Sequence, residues 1–320
     1  MKCQPFTLSN PFFNYLSSYS ILAIIAAMIT MLLTAYKEPK TIGRAIEAIL
    51  PQLPQNAELL VIAPDAETRA VIQQYAAKNP QIKQIHDPGI GKPAALNCGL
   101  QAAQYDIVVL SDGDVYISDN AIAQILIHFS NPKVGAVTGH PISISPRHTK
   151  LGYWSHLLVD GAHQTRLACD AKQEYLLCSG YLFAYRKTLV PYIPEDALAE
   201  DAVISHRIAE QGYAIRYAPE AKVYIKYPTT YEDWLRQKVR SAGGYAQDYI
   251  RSSPYQMRNP KLEAQKGTIL ALKFANSPRE VWWTLQLFVA RVHLWLLVFW
   301  QVRIRKRPLS ELWQRVETTK

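Results

Sequence analysis

The stretch Val108-Val109-Leu110-Ser111-Asp112-Gly113-Asp114 places two carboxylates directly after a run of apolar residues. Such a run predicts a buried strand, and open α/β sheets bind their ligands at the carboxyl ends of the strands. Because Asp112 and Asp114 are two residues apart, both can approach one hard cation together with the oxygens of a diphosphate. Mg²⁺ or Mn²⁺ is the expected ion. Asp-Gly-Asp also forms ordinary turns, so the interpretation depends on the rest of the sequence.

Outward from this stretch, predicted strands and helices alternate from residue 29 to residue 111, which indicates an α/β domain with parallel strands joined by right-handed crossovers, whereas the order beyond residue 167 is less regular. The predicted strands cover residues 29–34, 58–62, 82–86, 107–111, 134–139, 181–185 and 223–225. The predicted helices begin with one opened by Pro39 and Thr41 and continue over 68–78, 92–103, 119–129, 153–167, 199–211 and 231–249. We expect one main domain over residues 28–250, preceded by an apolar segment, 1–27, and followed by a helical region, 251–320.

A glycine-containing turn precedes one of these helices and places Lys92 at its start, in Gly89-Ile90-Gly91-Lys92-Pro93-Ala94-Ala95-Leu96-Asn97. Backbone N–H groups and a cation at a helix start are suited to an anion. The spacing differs from that of a Walker loop, so ATP hydrolysis is not favoured. An ordinary turn with a solvated lysine would also explain this segment on its own.

An acidic pair, Glu200 and Asp201, opens a later predicted helix. Acidic residues at a helix start complement the helix dipole, which would explain the pair without any chemistry. A carboxylate at the mouth of the sheet could instead accept the proton of an attacking sugar or lipid hydroxyl. We expect Asp201 to react and Glu200 to support it.

Charge and cysteine content narrow the class of protein. The 320 residues carry a net charge of +9, and Arg303, Arg305, Lys306 and Arg307 follow a long apolar stretch. Juxtamembrane basic clusters have this arrangement, so a membrane and a phosphate-bearing substrate explain the charge better than nucleic acid does. The cysteines, at positions 3, 98, 169 and 178, match neither zinc spacing nor a disulfide framework. These observations favour a membrane-associated protein whose active site faces the cytoplasm.

Both ends of the chain are candidates for membrane contact. No charged residue lies between Lys2 and Lys37, but if residues 29–34 form a strand, the helix left before them is too short to span comfortably. Residues 281–302 are long enough to span, yet Arg291 would lie in mid-bilayer at a cost of at least ~2.5 kcal/mol. The basic residues after that segment and the domain before it should both stay cytoplasmic, which favours a helix in the interface. A buried core helix would also account for the segment.

Taken together, these segments resemble the family-2 inverting glycosyltransferases over roughly residues 28–250. The resemblance implies a GT-A type fold, with a Rossmann-like, mostly parallel central sheet flanked by helices, to which this chain adds membrane-associating segments at both ends. Residues 33–38 are similar to the opening motif that lines the nucleotide base, which implies donor-binding roles for Ala35, Tyr36 and Glu38. Residues 91–97, 112–114 and 200–201 resemble the family's lysine segment, its donor and metal motif, and its acidic pair containing the base. Residues 178–183 resemble the segment that borders the acceptor, which implies an acceptor contact at Gly180.

Two departures limit this resemblance. The family often has two aspartates after the second strand that contact the base, whereas this chain offers only Asp65. Downstream, Gln237-Lys238-Val239-Arg240-Ser241 is similar to a glutamine-x-x-arginine-tryptophan motif, with Ser241 in place of the tryptophan. The resemblance implies that Gln237 and Arg240 meet the donor diphosphate, while the serine argues against synthesis of long polymers.

The implied reaction is a single displacement that moves a sugar from a nucleotide-sugar to a hydroxyl of a lipid or membrane-linked glycan. Asp201 acts as general base, and Mg²⁺ or Mn²⁺ binds at Asp112 and Asp114. A polyprenyl-phosphate acceptor, already ionised, would not need the base. Two further classes of protein would share parts of this pattern: a sugar nucleotidyltransferase, and an inactive membrane scaffold that binds a nucleotide.

Overall fold

The computed structural model describes residues 28–245, 247–255, 271, 273–304 and 318–319. Within these ranges, one sheet of eight strands carries helices on both faces. This architecture confirms the predicted mixed α/β fold. The predicted apolar helix before residue 28 and most of the basic tail lie outside the described residues.

Most strand pairs in the sheet are parallel, and the spatial order is β3-β2-β1-β4-β7-β6-β8-β5. β1 pairs in parallel with β2 and β4, whereas β7 is antiparallel to both of its neighbours. The strands are β1 Ile29–Thr34, β2 Glu58–Ile62, β3 Ile82–Ile85, β4 Ile107–Asp112, β5 Tyr116–Ile117, β6 Val134–Ser143, β7 Leu182–Arg186 and β8 Ala214–Ile225.

The helices follow the predicted order. They are α1 Ile42–Ile49, α2 Ala66–Ala76, α3 Lys92–Ala102, α4 Ala121–Leu126, α5 Lys150–Ala171, α6 Glu200–Glu210, α7 Tyr231–Gly244, α8 Asp248–Arg251 and α9 Pro278–Phe299. A π-helical turn, Trp300–Ile304, follows α9.

The core forms two layers because successive side chains of a strand point to opposite faces of the sheet. In β1, Met31 and Leu33 pack with α1, α4 and α5, whereas Leu32 packs on the other face with α3 and α6. All six residues of β1 are buried, as expected for a central parallel strand.

Three features differ from the sequence-based prediction. The two-residue strand β5, Tyr116–Ile117, was not predicted. The last strand begins at Ala214 rather than at residue 223, because β8 continues through a register shift against β6. The helix predicted over 231–249 ends at Gly244. There the Gln247 side chain donates to Asp196 O (2.8 Å) and accepts from Leu198 N (2.9 Å), so the chain is held against another loop.

Helix α9 packs on the domain along one face, and its amino-terminal half contacts α5. The Tyr153 hydroxyl and Thr284 Oγ1 are 2.6 Å apart, and Trp154 Nε1 donates to Trp283 O at 2.7 Å. Arg147 forms an ion pair with Glu280, with Nε 3.0 Å from Oε1. These contacts join α9 to α5 and to the loop before α5, so α9 is part of the folded domain.

Candidate active site

A cavity of about 1070 Å³ opens at the carboxyl ends of β1 and β4. The amino-terminal ends of α3 and α6 also reach it, and their first residues supply Lys92, Glu200 and Asp201. Residues of helices α5, α7 and α9 also line it. Small-ligand pockets commonly measure about 300 to 1000 Å³, so this cavity has room for more than one small ligand.

Lys92 joins the two acidic motifs. Its Nζ lies 2.7 Å from Asp112 Oδ1 and 2.7 Å from Glu200 Oε1. Thr34 Oγ1 donates to the same Asp112 oxygen at 3.3 Å. The strand-end carboxylate and the helix-start carboxylate therefore share one ammonium group, although 88 positions separate them in the sequence.

These contacts shift the pKa values of the three side chains in different directions. Burial raises the pKa of Asp112, and Asp114 raises it further, while Lys92 opposes both. Burial acts to raise the pKa of Glu200, but the adjacent Lys92 charge outweighs it and lowers that pKa. Burial acts to lower the pKa of Lys92, but Asp112 and Glu200 raise it overall. Lys92 and Glu200 therefore form a charged pair at neutral pH.

Asp201 has a different environment from Glu200 next to it. Gly180 N donates to its Oδ2 and Ala202 N donates to its Oδ1, both at 2.9 Å. Burial and the neighbouring Glu200 charge raise the pKa of Asp201 to about 6. A carboxylate fixed by two backbone amides, with a pKa near working pH, is suited to act as a general base.

Two glycines allow the backbone to approach carboxylate side chains of the cavity closely. A Cβ at Gly113 would lie 2.6 Å from Glu38 Oε2 and 2.8 Å from Ala35 Cβ. A Cβ at Gly180 would lie 3.3 Å from Asp201 Oδ2. Gly113 is therefore required by packing against the loop after β1, which an ordinary exposed turn would not demand.

The acidic end of the cavity fits a divalent cation. Asp112 and Asp114 offer two carboxylates, and hard cations such as Mg²⁺ complete their coordination with water and substrate phosphate oxygens. Among the described residues no group of three or more His, Cys, Asp or Glu side chains converges on one point. Such a cation would therefore depend on the donor for part of its coordination.

The cavity brings together all but one of the residues singled out in the sequence. Its lining includes Ala35, Tyr36, Glu38, Lys92, Asp112, Asp114, Gly180, Glu200, Asp201, Gln237 and Arg240. Gln237 Oε1 is buried and accepts no hydrogen bond from the described part of the chain, so a ligand donor would suit it. Asp65 instead caps α2, accepting from Thr68 N (2.9 Å) and Lys37 N (2.7 Å), and is not in the lining.

Sequence reasoning did not identify several residues of the lining. Asp87 follows β3, is buried, and accepts from Gly89 N at 2.7 Å. Its position after a strand was a usable signal. Arg166 and Arg291 also line the cavity, from α5 and α9. The signal for Arg291 was its position within an otherwise apolar segment.

A mostly parallel sheet, with carboxylates clustered at its strand ends and a helix-borne carboxylate in the same cavity, is the arrangement expected of a GT-A type glycosyltransferase. The chain belongs to the family described as Glycosyltransferase like family 2, which matches residues 26–244. This match covers well over half of the chain and confirms the family resemblance.

Relatives found by sequence similarity support this family assignment. Poly-beta-1,6-N-acetyl-D-glucosamine synthase of Staphylococcus aureus (strain COL) is 28% identical over 227 residues, which are 68% of this chain and 54% of that protein. The Staphylococcus epidermidis synthase is 26% identical over 265 residues, 79% of this chain and 62% of that protein. The chain thus spans little more than half the length of these relatives.

A solved structure shares the fold. The mannosyltransferase PcManGT from Pyrobaculum calidifontis, in complex with GDP-Man and Mn²⁺, superposes with a TM-score of 0.58 at 18% identity. The match covers 89% of this chain and 82% of that one. At this identity the likeness concerns the fold alone.

Proposed function

We propose that this chain is an inverting glycosyltransferase that moves a sugar from a nucleotide-sugar to a hydroxyl of a lipid or membrane-linked glycan. The observation that carries the proposal is the position of Asp201. Its partly buried carboxylate is held by two backbone amides in the same cavity as Lys92 and the Asp112 and Asp114 carboxylates. One cavity thus combines a candidate base with a candidate diphosphate site.

In the proposed reaction, Asp201 accepts the proton of the acceptor hydroxyl. The hydroxyl oxygen forms a bond to the anomeric carbon from the face opposite the departing diphosphate, while the bond from that carbon to the diphosphate oxygen breaks. Lys92 and Arg240 neutralise the departing diphosphate. A divalent cation held by Asp112 and Asp114 would supply further stabilisation of that negative charge. A single displacement inverts the anomeric configuration and needs no covalent sugar intermediate.

The proposed membrane association rests on the outer face of α9. Trp282, Leu285, Val289 and Phe299 are 46 to 71% exposed, while Thr284 and Leu294 on the inner side are fully buried. Pro278–Phe299 is long and apolar enough to cross a membrane by composition, but one of its faces packs on the domain. We therefore propose that α9 lies in the interface, with the active site on the cytoplasmic side.

The named relatives indicate only the general class of sugar that is transferred. Two are N-acetylglucosamine polymer synthases and one is a mannosyltransferase, so hexosyl transfer is the proposed class. Ser241 lines the cavity where the resembling motif has a tryptophan. We therefore propose the addition of one or a few sugars rather than synthesis of a long polymer.

The test is release of nucleoside diphosphate by the full-length, detergent-solubilised protein. A panel of nucleotide-sugars is supplied with Mn²⁺ and membrane lipid extract, and NMR gives the anomeric configuration of the product. We expect release with one donor class, dependence on extract, and an inverted product. A retained configuration would refute the single displacement, and no release with any donor would refute the transferase.

A further inference from the structure

The charged side chains that line the cavity differ between its two ends. Its lining at the strand ends and at the starts of α3 and α6 contains six carboxylates and one lysine: Glu38, Asp87, Asp112, Asp114, Glu200, Asp201 and Lys92. Its lining from α5 and α9 contains two cations and one carboxylate: Arg166, Arg291 and Asp160. The first end is suited to a metal-bound diphosphate. The second end carries a net positive charge, which is suited to another anion.

The end of the cavity formed by α5 and α9 is also lined by apolar side chains. Helices α5 and α9 touch near their amino termini, at Tyr153–Thr284 and Trp154–Trp283. Further along, both helices line the cavity, through residues 157–166 of α5 and residues 287–296 of α9. The contacts between the two helices thus give way to an open cleft. At ~1.5 Å per residue, the α9 side of this cleft is about 14 Å long.

Val292 and Leu296 connect the cleft to the outer surface. Both line the cavity, yet they are 60% and 62% exposed and belong to the same apolar outer face as Val289. An apolar chain in the cleft could therefore continue from the cavity onto this face. Because the outer face is the proposed membrane contact, the cleft would open directly onto the lipid.

The two arginines lie within this apolar wall. Arg291 follows Thr284 and Leu287 and precedes Leu294 and Val298 at the spacing of one helix face, all of them buried except Arg291 itself. Arg166 Nε donates to Leu177 O at 3.0 Å, which holds its guanidinium beside the chain that leads to Gly180. Guanidinium groups bind phosphate oxygens through two parallel hydrogen bonds.

We propose that the cleft between α5 and α9 binds the hydrocarbon chain of a phosphate-bearing lipid acceptor, and that Arg166 and Arg291 contact the phosphate. This inference rests on the proposed transfer function and names its acceptor class. The lipid enters sideways from the membrane past Val292 and Leu296. Its phosphate stops at the arginines, and its hydroxyl reaches Asp201. A neutral glycerolipid with the same chains would lack the anchoring contact.

The test is native mass spectrometry of the full-length protein in detergent with two probes that have identical chains. Dioleoylphosphatidylglycerol carries a phosphate, and dioleoylglycerol does not. We expect the wild type to retain one phosphatidylglycerol molecule at concentrations where dioleoylglycerol is not retained. Arg291→Gln should lower this retention roughly tenfold or more, because it removes a charge-assisted hydrogen bond pair. Leu287→Trp should lower it by filling the cleft, while the melting temperature reports folding.

Two control variants lie on the same helix outside the cavity. Arg279→Gln removes an exposed arginine near the helix start, and Val281→Trp enlarges an exposed residue in the same first turns of the helix. Both should retain phosphatidylglycerol as the wild type does. Equal retention of the two probes, or equal losses in Arg279→Gln and Arg291→Gln, would overturn the proposal in favour of general surface attraction.

Nucleoside diphosphate binding in the presence of Mn²⁺ is measured on the same samples. Normal nucleotide binding without phosphate-selective lipid retention would refute the lipid site alone. Selective lipid retention without any nucleotide binding would instead refute the transferase and leave a lipid-binding protein.

Discussion

Replacing Asp201 by asparagine separates a general base from a residue that only starts a helix. The substitution removes the basic carboxylate and keeps the size of the side chain. General base assistance is worth ~10²- to 10⁴-fold, or about 3 to 5 kcal/mol of barrier. We therefore expect transfer at saturating donor to fall by at least ~100-fold, with donor affinity unchanged.

The structure indicates that stability will change much less than activity. The carboxylate accepts from two backbone amides, at Gly180 and Ala202, and an asparagine can accept from only one of them. Losing a hydrogen bond to a charged group costs about 1.5 to 3 kcal/mol. Against this, burial and the Glu200 charge raise the pKa of Asp201 to about 6, so the ionised carboxylate weakens folding at pH 7 and the neutral amide removes that cost. The two effects oppose each other, and we expect the melting temperature to change by less than about 5 °C.

The assay combines the transfer rate, donor affinity by calorimetry and thermal unfolding of the same preparation. Asp196→Asn is the matched control, because Asp196 is exposed, lies five residues earlier and is not in the cavity lining. It should leave all three measurements unchanged. If transfer by Asp201→Asn stays within a few-fold of wild type while donor binding is normal, the base assignment is wrong, and an already ionised acceptor such as polyprenyl phosphate becomes the better explanation.

Three further predictions concern the donor site and its pH dependence. Asp112→Asn and Asp114→Asn should each weaken Mn²⁺-dependent nucleoside diphosphate binding at least ~10-fold by calorimetry; unchanged affinity in both would reduce the motif to a turn. Gly113→Ala should lower both donor affinity and melting temperature, since its Cβ would press on Glu38 and Ala35, whereas Gly161→Ala, with open space around it, should lower neither. Because the base must be ionised, wild-type transfer should fall about tenfold per pH unit below about 6 and recover above it, and the residual rate of Asp201→Asn should lack this step.

Much of the site could be predicted because a parallel sheet brings the ends of its strands to one edge. The strand ending at Asp112 and the helices starting at Lys92 and Glu200 were each predicted within a few residues, so their convergence followed. The ion pairs from Lys92 to both carboxylates could not be predicted, because they depend on how two helices that are distant in the sequence are placed. Arg291 drew attention only as an obstacle to membrane insertion, since its direction depends on the face of α9 that packs on α5.

The Lys92 ion pairs also weaken the simpler explanations of the three motifs. A solvated lysine, a turn aspartate and a capping glutamate would each contact mainly water or local backbone. In the structure, Lys92 Nζ lies 2.7 Å from both Asp112 Oδ1 and Glu200 Oε1, and all three side chains are at most one quarter exposed. Partly buried ion pairs lose hydration, so stability alone gives little reason to gather them at the mouth of a cavity.

The arrangement of these ion pairs instead connects the donor end of the cavity to Asp201. Burial and the Glu200 charge raise the pKa of Asp201, and Lys92 opposes that rise. Any ligand that draws Lys92 toward a diphosphate would therefore weaken its hold on Glu200 and increase the basicity of Asp201, so that the base becomes stronger when the donor is in place.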